Sequence, residues 1–270
     1  MRDQATKAED FQALHRQEGA FVVPNPWDVG TAKLLASLGF RALATTSSGL
    51  ANSLGQVRAS LDQVIDNCRA IVAATDLPVT ADLENGWTDD PRRAAEAQRR
   101  AFEAGAVAGS IEDATGNRAK PIYDFALAVE RVHAAVEVAR SLPIPWVLTA
   151  RADGLLHGYK DLDDALRRLQ AFGEAGADVL YVPGVHDLET IRTVCSSLSK
   201  PVNVVMGFAD TSITLDQLSA AGVRRVSIGG AMSQYALAAF LEAAREMAAG
   251  GFTFVRRMAP RAELKGVFRK

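Results

Sequence analysis

The strongest constraint on this chain is its rhythm. Eight short apolar runs, at 21–23, 41–45, 78–82, 107–111, 146–150, 178–182, 202–205 and 225–228, alternate with stretches of helical periodicity. The helical stretches fall at 6–17, 32–38, 61–74, 91–103, 123–141, 162–174, 188–197, 214–219 and 231–248. Alternation of this kind predicts a parallel sheet with helical crossovers. The chain also echoes itself. Gly39, Gly105, Gly176 and Gly222 each stop a helix a few residues before an even-numbered strand, as in LASLGFRALATT and GEAGADVLYV. Several odd strands are entered through proline instead, in LPVTAD, IPWVLTA and KPVNVV.

Two architectures fit such a pattern. A doubly wound sheet would show a glycine-rich phosphate loop after its first strand, and Pro24-Asn25-Pro26-Trp27 is not one. The expectation is therefore a (β/α)8 barrel. Residues 1–249 would form one barrel domain with an N-terminal helix, and 250–270 a basic C-terminal tail. A length of 270 residues suits a single α/β barrel, and an apolar fraction of 48% supplies its core. The formal charge of -2 gives no electrostatic case for nucleic acid or an anionic membrane surface. Cys68 and Cys195 lie in apolar helical patterns and read as core thiols. The polar N-terminus and the lack of a membrane-length apolar stretch predict a cytoplasmic protein.

Chemistry in such a barrel belongs where the strands end. The third strand ends in Asp82-Leu83-Glu84-Asn85-Gly86, with two carboxylates on one face by strand alternation. Carboxylates converging at a strand tip suit a hard cation such as Mg²⁺. A solvated acidic turn is the competing reading, and the other strand ends weigh against it. The rim also collects Trp27 and Asp28; Ser48, Gly49 and Leu50; Glu112 and Asp113; Arg151 and Asp153; and Asn203. A cation together with an anionic ligand clamped by Arg151 would account for both signs of charge in one cavity.

PNPWDVGTAKLL, ATTSSGLA, ADLENGW, AGAVAGSIED, LTARAD, AGADVLYVPG and GVRRVSIGGA, in this order, resemble the isocitrate lyase/phosphoenolpyruvate mutase superfamily over about residues 20–245. The resemblance implies a barrel whose last helix is swapped between subunits of a homodimer or homotetramer. It also implies Mg²⁺, with Mn²⁺ as a substitute, and 2-oxo acid chemistry through an enolate. By position, Asp82 would be the direct metal ligand, while Glu84 and Glu112 would hold metal-bound waters. Ser48, Gly49 and Leu50 would cradle a substrate oxygen through backbone N–H groups, flanked by Trp27 and Asn203. Arg151 would bind a substrate carboxylate.

The departures from the family pattern narrow the reaction. Lyases of this superfamily carry a Lys-Lys-Cys-Gly-His type loop, whereas residues 114–121 here read ATGNRAKP, with Asn117 and Lys120 as the polar candidates. Gly55-Gln56-Val57-Arg58 stands where an aspartate is common, and Pro183 where mutases carry histidine. What the resemblance then implies is a carbon–carbon lyase or an oxaloacetate-like decarboxylase acting on a small carboxylate. A phosphonopyruvate-type mutase or hydrolase, or a 2-oxo acid binding protein without turnover, are the alternatives. His157, Tyr159 and Lys160 follow the fifth strand within reach of the rim, and 114–121 reads as a lid over it.

Overall fold

The computed structural model describes residues 2–207 and 211–269. Eight parallel strands form one sheet: β1 (Phe21–Val23), β2 (Leu43–Ala44), β3 (Val79–Ala81), β4 (Ala108–Glu112), β5 (Val147–Arg151), β6 (Val179–Tyr181), β7 (Val202–Val205) and β8 (Arg225–Ser227). Their order is β1-β8-β7-β6-β5-β4-β3-β2. The remaining seam, between β1 and β2, is crossed by Ala44 N–H donating to the Pro24 carbonyl at 3.0 Å. Asn25 reinforces it from the rim. Its Nδ2 donates to the Thr45 carbonyl at 3.0 Å, while its Oδ1 accepts from Ile228 and Gly229 N–H, each at 2.9 Å. The expected (β/α)8 barrel is the fold observed.

Helices α1 (Gln4–Leu14), α2 (Val29–Ser37), α3 (Ser47–Leu54), α4 (Leu61–Ala74), α5 (Pro91–Glu103) and α6 (Phe125–Ser141) alternate with the strands. The series continues with α7 (Leu162–Glu174), α8 (Leu188–Ser197), α9 (Leu215–Ala220), α10 (Ala231–Ala248) and α11 (Arg261–Phe268). Local chemistry sets most boundaries. Asp28 with Thr31, Ser60 with Gln63, and Thr214 with Gln217 form reciprocal capping boxes, and Asp90 caps α5 ahead of Pro91. The four echoed glycines carry φ of 83°, 94°, 108° and 95°, a left-handed turn that reverses each helix into its strand.

Ala8, Phe11 and Leu14 of α1 plug the lower end of the barrel against Phe21, Val23, Val107, Val147 and Val179. The second strand, Leu43–Ala44, is shorter than the expected 41–45 for a simple reason. Thr46 leaves the strand to cap α3, a helix beyond those expected above. The tail differs too: it holds a 3₁₀ turn at Thr253–Arg257 and then α11, which lies on α2. Arg256, Arg257, Arg261 and Lys265 stay exposed on it, and Lys270 lies outside the described residues. Among the described residues no helix is long and apolar enough to cross a membrane.

Candidate active site

Asp82 follows directly on β3 and is held from three sides. Its Oδ2 accepts from the Ser47 N–H at 2.9 Å and the Ser47 hydroxyl at 2.8 Å, and its Oδ1 from Arg151 at 3.3 Å. The Ser47 contacts exist because Thr46 caps α3, which places an anion at a helix N-terminus. This corrects the expected cradle of three N–H groups. Gly49 N–H is taken by the Thr46 hydroxyl at 3.2 Å and Leu50 N–H by the Thr46 carbonyl at 3.0 Å. In the first turn of α3 only the exposed Ser48 N–H is left without a partner among the described residues. Trp27 flanks this turn: a Cβ on Gly49 would come within 3.1 Å of the Trp27 Cβ.

Glu84 faces the same cleft as Asp82, but not through strand alternation, because β3 ends at Ala81. The chain instead turns through left-handed backbone at Glu84 (φ 42°), Gly86 (φ 71°) and Trp87 (φ 58°). For the two non-glycine residues this costs about 1–3 kcal/mol each and needs surrounding structure to hold it. Arg131, fully buried on α6, supplies that hold. It donates to the carbonyl of Asn85 and, at 2.7 Å each, to those of Thr88 and Asp89, with its guanidinium over the Tyr123 ring. From above, Arg58 pairs with Glu84 at 2.5 Å and with Asn85 Oδ1 at 2.7 Å, and stacks over Trp87. Arg58, in the stretch without the expected aspartate, is therefore part of the site wall. Burial, and then Asp82 beside it, pushes the Glu84 carboxyl above its ordinary range.

Arg151, at the end of β5, lies half-buried among carboxylates. Its Nε and Nη2 form a fork onto Asp153 at 3.2 and 2.7 Å, and its Nη1 lies 3.0 Å from Glu112 Oε2 as well as near Asp82. The ring of Tyr181 stacks on its face, 4.9 Å away. The Glu112 contact is an ion pair without hydrogen-bond alignment, so Oε2 remains a buried oxygen with no donor. Burial, opposed by Arg151 and aided by Asp153, Asp82 and Glu84, drives the Glu112 carboxyl well above its usual range. Asp113 braces the cluster from behind. It accepts the Asp153 N–H at 2.7 Å and pairs with Arg168 at 3.2 Å, and burial pushes its carboxyl up to about 7.

This arrangement fits a hard divalent cation. Asp82, Glu84, Glu112 and Asp153 against Arg58 and Arg151 leave a formal charge of -2. All donors are oxygens, and one is orphaned. Among the described residues, no three Asp, Glu, His or Cys side chains gather closely enough to ligate one ion directly. An ion here would be held by Asp82 directly and by Glu84 and Glu112 through water, since Mg²⁺ dehydrates reluctantly.

The structure separates other expected partners from this cluster. Asn117 and Lys120 are exposed. The Asn117 side chain accepts from Ala119 N–H at 2.9 Å, and Lys120 pairs with Asp124 at 2.6 Å. The 114–121 loop is knitted to itself, with Thr115 N–H donating to the Pro121 carbonyl at 2.8 Å and a bridge between Ala114 and Ile122. Asn203 is not a rim residue but sits in the barrel wall, 2% exposed and bonded to Ser227 and Arg225. His157 does reach the cleft, lining it with Ser48, Glu84 and Glu112.

The family model for phosphoenolpyruvate phosphomutase matches residues 11–248. A solved structure from Burkholderia cenocepacia J2315, assigned provisionally as a lyase/mutase, is 53% identical, covers 99% of this chain and 97% of that one, and superposes with a TM-score of 0.96. The 2-methylisocitrate lyase of Escherichia coli K12 is 29% identical over 85% of this chain and 78% of its own length. A structure of oxaloacetate acetylhydrolase in complex with the product oxalate is 25% identical, covers 99% and 95% of the two chains, and has a TM-score of 0.86.

Proposed function

The chain belongs to the phosphoenolpyruvate phosphomutase family, within the isocitrate lyase/phosphoenolpyruvate mutase superfamily of enzymes, and from that premise we propose a Mg²⁺-dependent carbon–carbon lyase or decarboxylase acting on a 2-oxo acid through an enolate. The observation that carries this reading is Arg151 enclosed by Asp82, Glu112 and Asp153, with one Glu112 oxygen left over. Asp82, and through water Glu84 and Glu112, would hold the cation. When bound, it supplies positive charge to an oxygen that becomes anionic in the transition state.

The chain's own residues would do the rest. Ser48 offers its free N–H to a carboxylate or carbonyl oxygen. Arg151 orients the carboxylates around it and offsets part of their charge. In an oxaloacetate-like acid, the bond between C3 and the departing carboxylate breaks, CO₂ leaves, and its electron pair is delocalised onto the C2 oxygen as an enolate. A proton then returns to C3, and His157 is the imidazole placed on the cleft to deliver it. Small carboxylates are the ligand class, and the oxalate complex of the acetylhydrolase relative supports it.

Initial rates with oxaloacetate, 2-oxoglutarate and substituted malates, with Mg²⁺ and with EDTA, test the proposal. We expect turnover of at least one acid and its loss in EDTA; turnover that EDTA leaves unchanged would overturn the metal-dependent reading. Binding without turnover would instead favour the second reading, a 2-oxo acid binding protein. The loop favours that alternative, since Asn117 and Lys120 are spent on local bonds.

We also propose that the protein is a cytoplasmic homo-oligomer in which α10 packs on a second copy. Only Ser233 of α10 is buried, while Tyr235 and Phe240 are 81% and 67% exposed. Apolar surface of this extent on one helix asks for a partner. Light scattering should give at least twice the chain mass of 28.8 kDa; a monomer at micromolar concentration would remove the idea.

A further inference from the structure

Below the rim the barrel encloses a second cation that the chemistry above does not use. In the sheet register Glu112 lies beside Arg151, Arg151 beside Tyr181, Tyr181 beside Asn203, and Asn203 beside Arg225. Strands of a closed barrel are staggered, so a row of lateral neighbours descends along the wall. This one starts at the last residues of β4 and β5 and ends at the first residue of β8. Arg151, Tyr181, Asn203 and Arg225 all line one interior cavity of about 80 Å³, together with Asp82.

Arg225 is 5% exposed. Its Nε donates to Asn203 Oδ1 at 2.7 Å and its Nη2 to the Thr149 hydroxyl at 2.8 Å, both neutral acceptors. Its Nη1 has no partner, and among the described residues no carboxylate forms an ion pair with it. A buried guanidinium with no counter-charge is costly, and burial pulls its pKa down to about 10. Every other buried arginine of the site wall, by contrast, meets a carboxylate or backbone carbonyls. The orphaned donor and the absent counter-ion both point to an anion supplied from outside the chain.

We propose that Arg225, aligned by Asn203 and Thr149, receives the distal carboxylate of the ligand, so that the site selects short 2-oxo diacids over 2-oxo monoacids. This rests on the reading that the 2-oxo acid end binds at the Asp82 rim; Arg225 then acts as the specificity residue at the other end of the same cavity. Asn203, expected at the rim, serves instead as its positioning residue. A competing arrangement is a water shared between Arg225 Nη1 and His15 Nε2, which also lacks a partner while His15 Nδ1 bonds the Phe11 carbonyl at 2.8 Å.

Calorimetry of the Mg²⁺-loaded protein with two matched pairs separates these. Oxaloacetate against 2-oxobutyrate, and 2-oxoglutarate against 2-oxopentanoate, each exchange a terminal carboxylate for a methyl group. We expect wild type to prefer at least one diacid over its partner by about 10- to 100-fold, the range of a buried charge-assisted bond. Arg225→Gln should bring that ratio close to one, and Arg225→Lys should restore part of it. Equal affinity for both members of each pair in wild type overturns the proposal without any variant, so a misfolded Arg225→Gln does not shield it. An unchanged ratio in Arg225→Gln, or equal weakening of diacid and monoacid with a lowered melting temperature, also overturns it and assigns the arginine a structural role. If wild type binds neither member of either pair, the rim assignment itself fails.

Discussion

Replacing Asp82 by alanine is expected to abolish Mg²⁺-dependent binding of a 2-oxo acid and to lower kcat/KM by about 10²- to 10³-fold, while the barrel stays folded. The size follows from the several kcal/mol that a metal ion contributes to stabilising developing charge, at about 1.4 kcal/mol per tenfold. Asp82 sits beyond the end of β3 and half-exposed, so no barrel packing is lost with it. The variant does free the Ser47 N–H and hydroxyl and one Arg151 donor, at a stability cost of about 1–3 kcal/mol. Calorimetry with Mn²⁺ or Mg²⁺ and oxaloacetate, beside a circular dichroism melt, reads both effects. Binding that persists in Asp82→Ala and resists EDTA would show that the cation lies elsewhere.

Arg131→Leu should be the most destabilising single change near the site. Leucine keeps apolar contact with Tyr123 but leaves the carbonyls of Asn85, Thr88 and Asp89 without donors. Losing one side of a buried polar network typically costs about 3–5 kcal/mol. For a chain of this size that lowers the melting temperature by about 6–20 °C. The turn carrying Glu84 should loosen as well, because its left-handed residues rely on this clamp, and activity should fall more than the folded fraction does. Arg131→Lys, with a point charge in place of a planar fork, should recover only part of the loss. A denaturation midpoint equal to wild type in Arg131→Leu would refute the clamp.

Neither arginine of the deeper structure was legible in advance. Arg131 reads as one more polar residue of an amphipathic helix, and Arg225 as the charged entry to a strand. Arg58 reads only as the last residue of a stretch where an aspartate is expected. Each acquires its role from groups distant in the chain: Arg58 from Glu84, Arg131 from the 85–89 carbonyls, and Arg225 from Thr149. A signal did exist for Arg225, since two arginines open a strand that parallel-barrel packing should make apolar. Ser47 was hidden for a different reason. Its N–H meets Asp82 only because Thr46 caps a helix that was not expected from the sequence.

By itself the sequence determined what depends on neighbours a few residues away. The spacing of apolar positions, the Asp90-Pro91 and Ser60-Gln63 caps, and the left-handed glycines before even strands specify the alternation, and with it a barrel whose rim gathers Asp82, Glu112 and Arg151. The tertiary structure alone decided the rest: that Arg151 is enclosed by carboxylates, that Asn117 and Lys120 face away, and that Asn203 lies in the wall beside Arg225. The physical reason is that capping and periodicity are local properties of the chain. The stagger of a closed barrel is a property of all eight strands together, and it sets which side chains share a row and how far below the rim each one lies.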